Sequence, residues 1–294
     1  MALIGGAPLA WAQALMCSSA LVMSAACASV WRRQPFAHHA VLTIAALLWL
    51  AGNLIWLASG SMVPAVPQWA AFLLLTIAGE RLELSRFLPT PLIARIAFAI
   101  IVAALSAGAL AAVVLEDAGL KLFAVALFAL AVWLLRYDIA RHTIKVAGLT
   151  RYMAVCLLSG YAWLAIAAML GIAGAFQADA MLRDAALHSL LLGFVFSMVF
   201  GHAPIILPAV TRLQCHWYVG FYLPLVVLHL SLAARVVAGV AEWFALRQVA
   251  AIANAVAIAL FLLIVVTSLR RGRAQTFTGA MSNSSTGPAF LAES

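Results

Sequence analysis

Charge is what this chain has least of. Only 9% of its 294 residues are Asp, Glu, Lys or Arg, where ordinary soluble domains carry about 25%. Two thirds of the chain (67%) is apolar and the mean hydropathy is +1.11. No soluble fold of this length covers itself with so little polar surface, so the composition predicts an all-α, polytopic membrane helix bundle. Acidic residues are scarcer than basic ones, 9 against 17. On a soluble protein that imbalance would suggest nucleic acid. Here the basic residues sit in short loops between apolar runs, which is a topology signal, and the nucleic-acid reading falls away. Cysteine is scarce too. Cys17, Cys27, Cys156 and Cys215 form no CxxC pair, so neither a zinc ribbon nor a redox motif is written here. Cys17 and Cys27, with Met16 and Met23, could form a soft Cu(I) site or serve as small apolar packing residues.

Long apolar runs are abundant. Nine segments are long enough to cross a ~30 Å hydrocarbon core as helices: 10–31, 39–59, 67–88, 92–115, 119–137, 151–173, 182–208, 217–238 and 243–269. Residues 1–269 then form one transmembrane domain, and 270–294, rich in Ser, Thr, Gly and Ala, reads as a disordered cytoplasmic tail. Alternate loops hold Arg32, Arg33, Arg86, Arg95, Arg136, Arg141, Lys145, Arg151, Arg212, Arg270, Arg271 and Arg273. The opposite loops hold only Lys121, Arg183, Arg235 and Arg247, among Glu116, Asp117, Asp179, Asp184 and Glu242. That asymmetry predicts an N-terminus outside and a C-terminus in the cytoplasm. The first span lacks a basic region ahead of it, so it reads as a retained helix and not as a cleaved signal.

Ionisable residues inside such spans are functional candidates by default. The segment 188-HSLLLGFVFSMVFGHAP-204 carries two histidines fourteen residues apart. On a straight α-helix they fall within about 40° of each other, with Gly193, Ser197 and Gly201 as a small-residue ladder on the opposite side. Neutral imidazoles in a dry site suit haem iron, copper or zinc. His229, on the next antiparallel span, is expected at the depth of His188, making those two the ligands of one layer. His202 would then serve a second layer. His216 could face His202 if Pro204 and Pro208 end the helix early; otherwise it is interfacial. His38 and His39 are alternative inner ligands or solvated boundary residues.

The third span carries 79-GERLELSRFLP-89. Glu80 and Glu83 could form a proton path or charge site, and Arg81 could hold a haem propionate. The bland alternative is a Glu83–Arg86 pair at the boundary with snorkelling stems.

The order of His188, Gly193 and Met198 in 188-HSLLLGFVFSM-198 resembles a late helix of the NnrS family of bacterial membrane proteins. The likeness covers about 25 residues. It implies a polytopic helical protein of the bacterial cytoplasmic (inner) membrane, related in architecture to haem-copper oxidase catalytic subunits. It further implies haem b, with copper as a second candidate, and a redox or sensing role in nitric-oxide response or denitrification beside respiratory proteins. His188 is the ligand that the resemblance carries over. The alternative is a proton-coupled small-solute transporter using the buried histidines and the Glu80/Glu83 site. A third reading is a non-catalytic assembly subunit held by the small-residue ladder.

Overall fold

The computed structural model describes residues 9–84, 90–211 and 215–284, with side chains described through Arg270. It is all-helical: α1 (Leu9–Arg33), α2 (Ala37–Ser59), α3 (Val66–Leu84), α4 (Leu92–Ala111), α5 (Glu116–Tyr137), a short α6 (Ala140–Thr143), α7 (Leu149–Ile172), a short α8 (Arg183–His188), α9 (Ser197–Thr211), α10 (Tyr222–Val240) and α11 (Phe244–Ser284). A π-helical segment, Ser189–Phe196, joins α8 to α9 without a break. Among the described residues nine stretches are long and apolar enough to cross a membrane, and the expected spans match them.

Local chemistry sets the breaks. Gly60 takes φ 70° after α2 and returns its N–H to Trp56 O at 3.0 Å, the left-handed stop that lacks a Cβ penalty. Pro91 precedes the first residue of α4. Pro204 and Pro208 behave differently: both lie inside α9, which runs on to Thr211. Proline is tolerated there because neighbouring helices and local adjustment re-satisfy the freed carbonyls. His216 accordingly lies in a non-helical stretch, where its carbonyl accepts from Ser268 Oγ at 2.6 Å. Pro224 falls in the first turn of α10, so no kink divides that helix. α11 is described through Ser284, and residues 285–294 of the expected tail lie outside the described residues.

Sequential helices pack as antiparallel neighbours, α1 on α2, α2 on α3, α4 on α5, α5 on α7 and α10 on α11. Buried amides pin several of these pairs. Asn53 Nδ2 donates to Met16 O (3.0 Å) and its Oδ1 accepts from Trp69 Nε1 (3.0 Å), tying α2 to α1 and α3. Gln68 Nε2 reaches Ala109 O on α4 at 2.6 Å, and Asn254 Nδ2 reaches Ser231 Oγ between α11 and α10 at 2.6 Å. With no water in the bilayer core, each such amide must find its partner in protein. The small-residue ladder meets α7: a Cβ on Gly193 would lie 2.5 Å from Trp163 Cβ, and one on Gly201 3.1 Å from Cys156 Cβ.

The bundle has two ends. One carries the loops with Glu116, Asp117, Asp179 and Glu242, and the other carries Arg32, Arg33, Arg136, Arg141, Lys145 and Arg151. They are called the acidic and the basic end below.

Candidate functional site: a buried charge cluster and a cavity on one seam

The π segment decides where the histidines point. Its i→i+5 bonding advances each residue by less angle than an α-turn, so over Ser189–Phe196 the phase slips by roughly 100° or more. His188 and His202 therefore do not share a face. His188 turns toward α10: its Nδ1 donates to Asp184 O at 2.7 Å, and Asp184 is held by Arg235 Nε and Nη2 at 2.9 and 2.8 Å. His202 turns toward α3, where Arg81 Nη2 meets its Nε2 at 2.8 Å.

His188 and His229 are also at different depths. Asp184 pairs with Arg235, Gly239 lies against Ala185, and Gly193 lies against Leu232. That register sets His188 beside the 232–237 turn of α10, about six residues or ~9 Å from His229. The shared layer expected from counting back along each span is absent, because α10 extends further toward the acidic end than the apolar pattern indicated. Among the described residues no three His, Cys, Asp or Glu side chains come together as a metal-binding group.

Donor and acceptor parity then separates the three rings. A metal-bound imidazole offers a lone pair from one nitrogen while the other donates its N–H. His188 meets that pattern, with Nδ1–H on Asp184 O and the ring about one third exposed (34%). His229 does not, because Nδ1 accepts from Trp163 Nε1–H at 2.9 Å, which leaves Nε2 carrying the proton. That Nε2 is buried without a hydrogen-bond partner. His202 is committed differently again. Guanidinium only donates, so Nε2 accepts, and Nδ1–H is given to Met198 O at 2.6 Å. A two-layer haem held by His188, His229 and His202 does not fit this arrangement.

What the chain does assemble is a cluster at the basic end of the seam between α3, α5, α7 and α9. Arg81 is 3% exposed, Asp138 1% and Tyr161 0%. Asp138 follows the last residue of α5 and accepts the Ala140 N–H at Oδ1 (2.7 Å), an Asx-type turn that starts α6. Its Oδ2 is buried without a regular hydrogen bond, as is the Tyr161 hydroxyl that approaches the same carboxyl. Burial pushes the Asp138 carboxyl above the usual carboxylate range. The Ala140 N–H, the Arg81 guanidinium, the Tyr161 hydroxyl and the His202 ring all pull the other way.

Asp138 and Tyr161 were not singled out by the sequence, although Asp138 is the lone acid in the loop that holds Arg136, Arg141, Lys145 and Arg151. Of the expected stripe, Glu80 is exposed but within electrostatic reach of His202, and Glu83 lies 3.8 Å from His38 Nε2 at the boundary. Arg86 lies outside the described residues.

The chain belongs to the DUF8744 family. A sequence model described as "Domain of unknown function (DUF8744)" matches residues 1–270, a range that holds every side chain of the cluster. No curated protein and no solved structure matches the chain.

The same seam opens at its acidic end into a cavity of about 340 Å³ in this DUF8744 chain. Ala70 of α3, Phe123 of α5 and Leu190 of the π segment line it. Further along the same three elements come Leu74, Leu127 and Phe194, all wholly buried in one apolar cluster. Further still come Arg81, Asp138 and His202. Cavity, apolar plug and charge cluster thus succeed one another along one seam.

Proposed function

We propose that the protein is a proton-coupled transporter of a small solute in a bacterial cytoplasmic membrane, with its basic end in the cytoplasm and its N-terminus outside. The observation that carries this reading is the Arg81–His202 contact beside buried Asp138. His202 Nε2 can hold either the Arg81 hydrogen bond or a proton, and not both. A proton arriving on Nε2 turns it into a donor facing a donor, so the guanidinium must leave. The buried Oδ2 of Asp138 is the acceptor within electrostatic reach of Arg81. Protonation thereby redirects a buried positive charge, which is the kind of event that can bias one packing of helices over another. The π segment lies at the level of the plug, and π-bulges are frequent at functional sites because their ladder is easily shifted.

The test is proton flux in proteoliposomes carrying a trapped pH dye, challenged with solutes of several chemical classes. His202→Gln keeps an acceptor for Arg81 but cannot take the proton, and Asp138→Asn keeps the Ala140 cap but not the charge. Each should abolish solute-driven proton movement while the protein stays folded. Unchanged flux in both variants would sink the reading.

A haem- or copper-binding redox or sensing role, tied to nitric-oxide response or denitrification, is the second reading. One observation favours it: His188 presents its Nε2 with Nδ1–H correctly tethered. An oxidised and reduced absorbance spectrum of protein made with ample haem and copper tests it. A b-type band lost in His188→Ala would support it, and a colourless protein would remove it.

A further inference from the structure

The cavity at the acidic end is lined mostly by apolar side chains, with two ionisable ones among them. Phe123 and Phe176 meet there edge to face with centroids 5.9 Å apart, beside Leu120, Leu187 and Leu190. Two ionisable residues line it, Glu116 and Arg183. Glu116 is engaged, since its Oε1 accepts the Ala178 N–H at 3.2 Å. Arg183 is not. Its Nε is buried with no hydrogen-bond partner, and the side chain makes no ion pair among the described residues. A partly buried guanidinium without a direct ion pair is an expensive group to keep among apolar side chains. Two other buried guanidiniums have side-chain partners: Arg235 holds Asp184, and Arg81 meets His202 beside Asp138.

We propose that the cavity is a binding site for a small organic monocarboxylate with an apolar, ring-sized body. The carboxylate would take the two-pronged donor face of Arg183, for which guanidinium geometry is suited. The body would lie against Phe123 and Phe176. The volume is within the range of small-molecule sites, and mostly apolar side chains with a few placed polar groups are their usual lining. A dianion fits poorly, because Glu116 borders the same space and one cation answers one charge. This assignment rests on the transport reading only for its purpose, and it supplies the class of solute.

Benzoate is the probe. Equilibrium binding of labelled benzoate to the detergent-purified full chain should be saturable. Arg183→Gln should weaken it by about tenfold or more, the scale of a lost charge-assisted hydrogen bond. Arg183→Lys, which keeps the charge but not the fork, should weaken it less. Ala70→Phe should block it by filling the cavity with Arg183 intact. Arg247→Gln, at the same end but outside the lining, should leave it unchanged. Thermal unfolding and gel filtration of each variant confirm that it is folded.

Absence of saturable binding into the millimolar range overturns the proposal. So does an equal loss in Arg247→Gln, which would mark a surface-charge effect. The proton flux assay separates this from the transport reading. Benzoate binding lost in Arg183→Gln supports the site even where no proton moves, and proton flux driven by another solute class without benzoate binding removes the site alone.

Discussion

His202 and His229 sit on adjacent transmembrane helices in partly buried settings, yet their rings are wired in opposite senses. In the α3–α9 seam the histidine keeps its proton on Nδ1, for Met198 O, and accepts at Nε2 from Arg81. In the α7–α10 seam it accepts at Nδ1 from Trp163 and keeps the proton on an Nε2 that meets nothing. The first ring is one exchangeable bond away from changing the charge around it. The second is held by a neutral donor that never titrates. Residue type suggested the same ligand chemistry for both, in two different layers, and the partner is what separates them.

The largest effect expected from breaking this contrast is at Arg81. Arg81→Met removes the donor to His202 and the cation near Asp138, leaving a buried carboxyl without its counter-charge. Loss of one partner of a buried pair costs about 3–5 kcal/mol. Thermal unfolding in detergent should show a correspondingly large drop, and the double variant Arg81→Met with Asp138→Asn should recover much of it. A double variant as unstable as the single one would mean that the two groups do not act as a pair.

Asp138 also gives the seam a pH signature, and its sign follows from linkage. Its folded-state affinity for a proton is raised above the ordinary value of 3.8. The folded chain therefore binds that proton more tightly than the unfolded chain, and protonation favours folding. The contribution is complete below about pH 4 and is lost as pH rises through the raised value. Asp138→Asn should flatten the pH dependence of the unfolding temperature above about pH 4. An identical slope in wild type and Asp138→Asn would contradict the burial argument.

The α7–α10 seam should respond on a smaller scale and without a functional change. His229→Phe leaves the Trp163 N–H unpartnered but removes the orphaned Nε2–H, two effects of opposite sign. A buried unsatisfied donor costs about 1–3 kcal/mol, so the net change should fall below that range. Solute-driven proton flux should be retained. His202→Phe, in the other seam, strands the Arg81 guanidinium and should abolish flux while costing more stability. Equal behaviour of the two phenylalanine variants would erase the distinction between the seams.

The spans were legible because their signal is summed over about twenty residues, and local exceptions average out. The site was less legible, because it depends on features that one or two residues control. The π segment carries no strong mark in 189-SLLLGFVF-196, yet it turns His188 toward α10 and His202 toward α3. Whether Pro204 ends the helix was open in the sequence, and the bundle carries α9 past it. Arg81 was visible as a charge in a span. Its partner lies 121 positions away, and neither Asp138 in its basic loop nor Tyr161 in an apolar run announces itself.

The finest comparison lies in the glycine ladder, whose Gly193 and Gly201 both meet α7 at approaches that differ by a fraction of an ångström. An added methyl at Gly193 meets Trp163 Cβ and Cγ, both at 2.5 Å, and the base of an indole cannot swing aside as a flexible side-chain end can. Gly193→Ala should therefore cost about 1–3 kcal/mol by overpacking, and displace Trp163 from His229. The shift in Trp163 environment should appear in tryptophan emission. At Gly201 the nearest atom is Cys156 Cβ at 3.1 Å and the next is Met153 O at 3.6 Å, so a slight relaxation suffices. Gly201→Ala should change stability by less than about 1 kcal/mol and leave His202 on Arg81. A larger loss at Gly201 than at Gly193 would mean that α7 grips the basic half of the helix more tightly than the half carrying the π segment, against the order of the two approach distances.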